Sequence, residues 1–541
     1  MHKNNTVRSS LFIFFLLTIF MFADHRLIFD IPKRMEGRAL AYQLVFYINY
    51  IGLLLSCLIF FTLKSKFIRI VFGLLFFITL SITFSMDIVH GSTFTKGEAN
   101  ILFTEMQFAG QAMNAFFYQY LQGLGLALII TSVVAFIAIR FMPRMNNWYA
   151  LVPIVFIAYS ARINFTSQTW HTLFPTVFNV PIIAAEAYVT MPRFGPRKQP
   201  FIQPENKGLY KHIVWIIDES VRGDLLSINN GQIETTPFLE SIKGSYYNYG
   251  IMSASSHYSY GSNMVFQSGL KLDQLPDIEL RYGTNPNIFQ YSKQAGYTTY
   301  FIDGQNKSTI PTNGMTHYDF DYIDHYIQIQ KKCPAIKWPE VDSTIVHYLK
   351  DVLETKENTF TYINKAGCHF AYNNFYPKTR ELFKPSYKGG EAWTDSTTLK
   401  NTYCNCINWG VDEFFKKLYP AIIDKDAIII YTSDHGVSLL EKGRPVQDIG
   451  PIDPLPVRAN VPFLVFAGKT HPALFQFAEQ NKNRLSHFSI FPGTLMLLGY
   501  NKNQVMQNYG EGFFAKWEKT NRTFFSGSIN DPLNCYLNKF E

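Results

Sequence analysis

Apolar residues are distributed in two ways along this chain. Up to about residue 165 they come in long blocks, at 11–23, 40–63, 68–86, 119–139 and 148–163. Blocks approaching about 20 residues are long enough to cross a bilayer as helices. The first follows His2, Lys3 and Arg8, as the core of a signal peptide would. Asp24, His25 and Arg26 come next, however, with no small-residue cleavage site. Lys64, Lys66 and Arg69 separate the second and third blocks, and Arg140 and Arg144 the fourth and fifth. The positive-inside rule makes those loops cytoplasmic. Five spans with a cytoplasmic N-terminus then place the remainder of the chain outside the cytoplasm.

The pattern changes after a bridging stretch, 166–210. Phe174, Val177, Phe178 and Val180 there precede Pro192, Pro196, Pro200 and Pro204, as in an interfacial segment. From 211 to 541, short apolar runs alternate with helical periodicity. The runs 212–217 (HIVWII), 298–302 (TTYFI), 359–364 (TFTYIN), 427–432 (AIIIYT) and 461–466 (VPFLVF) predict strands. Continuous rather than alternating apolar character marks strands buried on both faces, as in parallel sheets. Helices are predicted at 236–242, 287–294, 414–423 and 486–498. The expected fold is an α-helical membrane domain (1–165), the bridge, and an α/β/α sandwich with a mostly parallel sheet (211–541).

Four of the runs release polar chemistry just after their last apolar residue. The first ends in Asp218, Glu219 and Ser220, and the second in Asp303. The third is followed by Cys368 and His369, and the fourth by Ser433, Asp434, His435 and Gly436. Ligands of open α/β sheets bind at the carboxyl ends of the strands, so these groups are expected to converge. Carboxylates with an imidazole form a zinc-type ligand set, here Glu219, Asp434 and His435. The segment SASSHYSYGS (253–262) offers Ser255, Ser256, Ser259 and Ser262 as hydroxyl nucleophiles beside such a site.

Composition narrows the function classes. The 541 residues carry a formal net charge of +8 and are 16% aromatic. The charge is dispersed without a basic block, which gives no support for a nucleic-acid partner and suits anionic lipid or saccharide. Cys57 lies within the second apolar block. Cys333, Cys368, Cys404, Cys406 and Cys535 lie beyond the membrane domain, where a disulfide from Cys404 or Cys406 to Cys333 or Cys368 is possible.

Taken together, these motifs resemble those of the phosphoethanolamine transferases of the bacterial envelope, the lipid A-modifying type within the alkaline phosphatase/sulfatase superfamily. IIDESVR (216–222) resembles the family block carrying its metal-binding glutamate, here Glu219. The family's S-D-H-G is present at 433–436. GCHFAY (367–372) resembles its histidine loop and gives His369, and FIDG (301–304) its aspartate turn and gives Asp303. The family's threonine nucleophile stands eleven residues before a leucine, and counting back from Leu270 gives Ser259. Phosphoglycerol transferases keep the same spacing. NILFTEMQFA (100–109) resembles the membrane-domain loop that approaches the donor lipid, with Asn100 and Thr104 as contacts and Phe108 where an acid is usual.

The resemblance implies an alkaline-phosphatase-like fold, and an inner-membrane enzyme with a periplasmic catalytic domain. It implies one zinc ion held by Glu219, Asp434, His435 and Ser259, and His369, Asp303, Asn100 and Thr104 as substrate contacts. It also implies phosphatidylethanolamine as donor, lipopolysaccharide (lipid A or core) or another envelope glycan as acceptor, and a covalent intermediate on Ser259. The chain departs from the family in several places. Ala254 and Met264 stand near the places of its paired cysteines, Val437 replaces a glutamate, and QDIG (447–450) replaces the Leu-His-Gly that serves substrate phosphate or a second zinc. Phosphoglycerol transfer, or a metal-binding envelope protein of altered chemistry, is the alternative.

Overall fold

The computed structural model describes residues 39–540, apart from 91–93, 95–98, 100–112, 114–115, 168–175, 191, 308–312, 390–392, 445, 447–452, 470, 519–521 and 533–534. The chain divides into two compact units, with the change at Met191 and Pro192.

The first unit is helical. Its helices are α1 (Leu40–Thr62), α2 (Lys66–His90), α3 (Phe117–Phe141), α4 (Leu151–Ser167) and α5 (Thr176–Thr190). Among the described residues, three stretches are long and apolar enough to cross a membrane: Gln43–Thr62, Lys66–Val89 and Phe117–Phe141. At about 1.5 Å per residue the shortest spans about 30 Å, the thickness of a hydrocarbon core. Leu53, Phe61, Phe76, Val134 and Ala138 pack inward, together with Phe178 and Ile182 of α5. Ile48, Phe67, Ile70, Leu74, Ile129 and Phe136 face outward, an arrangement suited to lipid rather than water. Gly123 sits so close to α2 that a Cβ would press within 2.9 Å of the Ser85 backbone. The block at 11–23 lies outside the described residues. Helix α5 falls within 166–210, the stretch expected as a bridge, and belongs to the first unit.

The second unit is built on a seven-stranded sheet. Its strands are β1 (His212–Asp218), β2 (Tyr247–Ser253), β3 (Thr298–Asp303), β4 (His325–Gln328), β5 (Thr359–Asn364), β6 (Ala427–Ser433) and β7 (Asn460–Ala467). Their order is β2-β7-β6-β1-β5-β3-β4. The run from β6 through β1, β5 and β3 to β4 is parallel, and β7 runs antiparallel to both of its neighbours, β6 and β2. A separate hairpin pairs β8 (Thr523–Gly527) with β9 (Cys535–Lys539). Every residue of β1, β5 and β6 is buried, which explains their unbroken apolar sequences. The core on one sheet face is aromatic, with Trp215 against Phe360 and Tyr362, and its indole N–H satisfied by Thr494 Oγ1 at 2.9 Å. Pro462 lies inside the sheet on β7, where it cannot donate to a ladder. Its partner β2 shifts register between Asn248 and Ile251, the local irregularity at which a strand proline is tolerated. All six cysteines are free thiols; that of Cys406 donates to Gly367 O at 3.7 Å.

Two buried histidines make this unit sensitive to acid. Burial pushes His487 down to about 3 and His212 to about 4. An unfolded histidine titrates near 6.5, so between that pH and the depressed values the unfolded chain binds more protons. Stability is therefore full above about pH 6.5 and is lost as the pH falls toward about 4, by about 1.4 kcal/mol for each unit of depression traversed. Scanning fluorimetry of the detergent-solubilised protein is expected to show the melting temperature falling over that window. In His212→Asn the fall is expected to be shallower.

Candidate metal and nucleophile site

The site forms where two adjacent parallel strands end. Asp218 of β1 lies beside Ser433 of β6, so Glu219 and Asp434 leave the sheet side by side. The turn after β1 is locked by Asp434 N–H donating to Asp218 O at 2.9 Å. Ser220 adopts a left-handed φ of 60°, rare for a residue with a Cβ. That conformation lets its N–H donate to Asp434 Oδ1 (2.9 Å) while its hydroxyl donates to Glu219 Oε1 (2.6 Å). Gly436 is required by a close approach: a Cβ there would meet the backbone carbonyls of Val457 and Asn460.

The ligand atoms of Glu219, Asp434 and His435 all lie within 4.8 Å of one another, and all three residues are buried. His435 Nε2 is 3.6 Å from Glu219 Oε1 and 3.7 Å from Asp434 Oδ2. Its Nδ1 is 2.7 Å from Gly436 O, which assigns the proton to Nδ1 and leaves a lone pair on Nε2. Burial pushes the imidazole below its ordinary pKa, despite the opposing Asp434 charge. Asp434 Oδ1 is used up by the N–H groups of Ser220 and His435, leaving Oδ2 for the cluster. No Lys or Arg pairs with Asp434 among the described residues. A buried carboxylate without a cation is costly. Paired carboxylates with a neutral imidazole therefore fit a divalent metal, and this donor set suits zinc.

Ser259 opens helix α6 (Ser259–Ser268). Its hydroxyl donates to Glu219 Oε2 at 3.3 Å and lies 3.2 Å from His435 Nε2. Ser255, Ser256 and Ser262 are fully buried; Ser256 Oγ donates to Phe525 O and Ser262 Oγ to Ser256 O. Of the four candidate hydroxyls, Ser259 is the one hydrogen-bonded to Glu219.

The other predicted residues fall differently. His369 is a largely enclosed ring whose Nδ1 lies 2.6 Å from Phe370 O, and burial lowers its pKa. Asp303 is buried, and its carboxylate ties its own turn. It accepts from the N–H groups of Gln305 (2.9 Å) and Asn306 (3.1 Å) and from the Tyr326 hydroxyl (3.1 Å). That turn delivers Gln305, whose amide donates to Glu219 Oε2 (3.1 Å) and Lys365 O (2.7 Å). Asn100, Thr104 and 447–450 lie outside the described residues.

Sequence reasoning missed Gln305 and Lys365, and it placed Ser220 at the end of the first strand without its role in tying Asp434 to Glu219. Lys365 Nζ is 2.6 Å from Asp218 Oδ2 and 3.5 Å from Asp342. Burial alone would lower its pKa, but the charges of Asp218 and Asp342 more than offset this and hold it above the usual lysine value. A fully buried lysine following strand β5, opposite the aspartate that ends β1, was the signal available.

The family model for sulfatases matches residues 211–500. Among curated relatives, the Kdo(2)-lipid A phosphoethanolamine 7''-transferase of Salmonella typhimurium is 26% identical over 322 residues, 56% of this chain and 54% of that protein. The phosphoethanolamine transferase EptA of Helicobacter pylori is 25% identical over 51% of each chain. The chain thus spans about half the length of the curated relatives it matches. Among solved structures, the integral membrane lipooligosaccharide phosphoethanolamine transferase A of Neisseria meningitidis aligns with a TM-score of 0.65 at 17% identity, covering 92% of this chain and 96% of that one. The zinc complex of the periplasmic domain of Escherichia coli EptC aligns at 0.51, also at 17% identity, covering 63% and 96%. These likenesses establish the fold: apolar N-terminal helices followed by an alkaline-phosphatase-like α/β domain. The chain belongs to the sulfatase family, and its curated relatives there are phosphoethanolamine transferases.

Proposed function

We propose that this protein is a zinc-dependent phosphoethanolamine transferase of the bacterial inner membrane, with five spans and a periplasmic catalytic domain. It takes the group from phosphatidylethanolamine and delivers it to lipopolysaccharide, on lipid A or core. The observation that carries this reading is the placement of Ser259 Oγ at a helix N-terminus, within 3.3 Å of both Glu219 and His435.

Glu219, Asp434 and His435 would hold the zinc, with Ser259 beside it. When bound, zinc lowers the pKa of a neighbouring hydroxyl and offsets charge on phosphoryl oxygens. The Ser259 O–H points at Glu219 Oε2, which is placed to take the proton. Ser259 Oγ then forms a bond to the donor phosphorus, the bond from phosphorus to the diacylglycerol oxygen breaks, and that oxygen takes the proton held on Glu219. Ser259 opens α6, and the positive end of a helix dipole favours the negative charge that develops there. An acceptor oxygen next bonds to the same phosphorus and gives its proton to Glu219, and Ser259 Oγ leaves and takes that proton back. Two easier displacements replace one difficult one. His369, Asn100 and Thr104 are assigned to the substrate side, whereas Asp303 ties the turn that carries Gln305.

Donor and acceptor anchored in one leaflet meet the site at high effective concentration, and the basic balance of the chain suits an anionic acceptor. Lipopolysaccharide from cells with and without the active protein should differ in mass by phosphoethanolamine units, which fragmentation places on lipid A or core. Unchanged lipopolysaccharide beside a modified periplasmic glucan would refute the acceptor assignment. A phosphoglycerol adduct would refute the donor.

A further inference from the structure

A cavity of about 350 Å³ lies in the catalytic unit, by the C-terminal end of α6 at Gly269. The ten residues of α6 span about 15 Å, so this cavity is distinct from the cluster at Ser259. Its walls include Lys198, Lys271 and Arg281 and no carboxylate. Arg281 is paired with Asp277 (3.4 Å) and Glu279 (2.6 Å). Lys198 and Lys271 form no ion pair among the described residues, so the cavity carries uncompensated positive charge.

A second, independent feature points to a ligand. Asn285 lines the same cavity and is only 8% exposed. Its backbone N–H donates to Arg281 O and its carbonyl accepts from Arg197, but its side-chain amide has no hydrogen-bond partner among the described residues. That amide therefore has only what fills the cavity, a ligand or water, as a partner. Phe201, 47% exposed, forms another part of the wall. An exposed ring beside cationic groups offers an apolar face to the C–H surface of a sugar.

We propose that this cavity binds a phosphomonoester dianion, with Lys198 and Lys271 supplying charge and the Asn285 amide donating to a phosphate oxygen. The ring of Phe201 makes a phosphorylated sugar the source that fits better than free phosphate. A volume of this size is at the low end of the roughly 300–1,000 Å³ of small-molecule sites, enough for one sugar phosphate.

The test is calorimetric titration of the full-length, zinc-loaded protein in neutral detergent with glucose 6-phosphate, inorganic phosphate and glucose. A metal site also attracts phosphate, so the comparison is with Lys198→Glu/Lys271→Glu, which leaves that site unaltered. Charge reversal is expected to weaken glucose 6-phosphate binding by at least about tenfold, equivalent to about 1.4 kcal/mol. Lys198→Arg/Lys271→Arg should retain binding, and its retention controls for folding. Tighter binding of glucose 6-phosphate than of inorganic phosphate assigns the ligand to a sugar phosphate; equal binding, lost in the same variant, keeps the anion site and assigns it to free phosphate. Unchanged affinity in the charge-reversed protein, or glucose binding as well as its phosphate, overturns the proposal.

Discussion

Ser259→Ala is expected to lower phosphoethanolamine transfer by about a thousandfold or more, the scale seen when a covalent nucleophile is removed. The geometry makes the outcome specific. Ser259 Oγ is 3.3 Å from Glu219 Oε2 and 3.2 Å from His435 Nε2, whereas Ser255, Ser256 and Ser262 are fully buried. After incubation with donor lipid, peptide mass spectrometry should find one phosphoethanolamine group on Ser259. Ser259→Thr keeps the hydroxyl and should retain part of the activity. Zinc content separates a nucleophile from a mere ligand: the alanine variant should keep most of its metal through Glu219, Asp434 and His435. An adduct on a neighbouring serine, with Ser259→Ala still active, would refute this assignment.

The parts of the fold that could be read in the sequence are those whose environment is uniform. Strands β1, β3, β5 and β6 lie side by side in the parallel part of the sheet, and burial on both faces leaves continuous apolar runs. Strands β2 and β4 lie at the two edges, and both were missed. YNYGIMS carries Asn248 and a left-handed Gly250, and its register breaks between Asn248 and Ile251. HYIQ is four residues long, with His325 exposed, Tyr326 and Ile327 half-buried and Gln328 buried. Neither segment presents a period that distinguishes it from a loop.

The site divides in the same way. Glu219, Asp434 and His435 follow strand ends directly, so locating the strands located them. Choosing among four serines needed the family spacing, because local pattern alone does not separate them. Gln305 was not legible, and Ser220 was legible only as a polar residue at a strand end, not as the link between Asp434 and Glu219. An amide in a turn has no signature of its own, and the left-handed φ of Ser220 arises from its bonds to Asp434 and Glu219, which are distant or adjacent contacts rather than a sequence pattern. Asp303 was expected as a substrate contact. Its carboxylate accepts from Gln305 N–H and Asn306 N–H, and through that turn it places the Gln305 amide on Glu219.

Removing the charge of Asp434 is expected to strip the metal while leaving the fold in place. Two of its interactions must be distinguished. Oδ1 accepts from Ser220 N–H at 2.9 Å and His435 N–H at 2.7 Å, whereas Oδ2 faces the cluster. Asp434→Ala deletes both functions and leaves two buried N–H groups without an acceptor, a loss of about 1–3 kcal/mol each. Asp434→Asn keeps an oxygen for those N–H groups and removes only the anionic ligand. Outer-shell substitutions at zinc sites typically weaken binding by about 10–100-fold, so loss of a direct ligand should weaken it by at least about 100-fold. The asparagine variant should therefore melt near the wild-type temperature in the presence of chelator, yet carry little zinc after dialysis and show no transfer. Metal analysis with a melting curve on the same sample checks both halves. Full zinc occupancy in Asp434→Asn would show that the ion is held elsewhere. A large drop in melting temperature under chelator would instead make Asp434 a structural acceptor, with its carboxylate serving the turn between β1 and β6 rather than a metal.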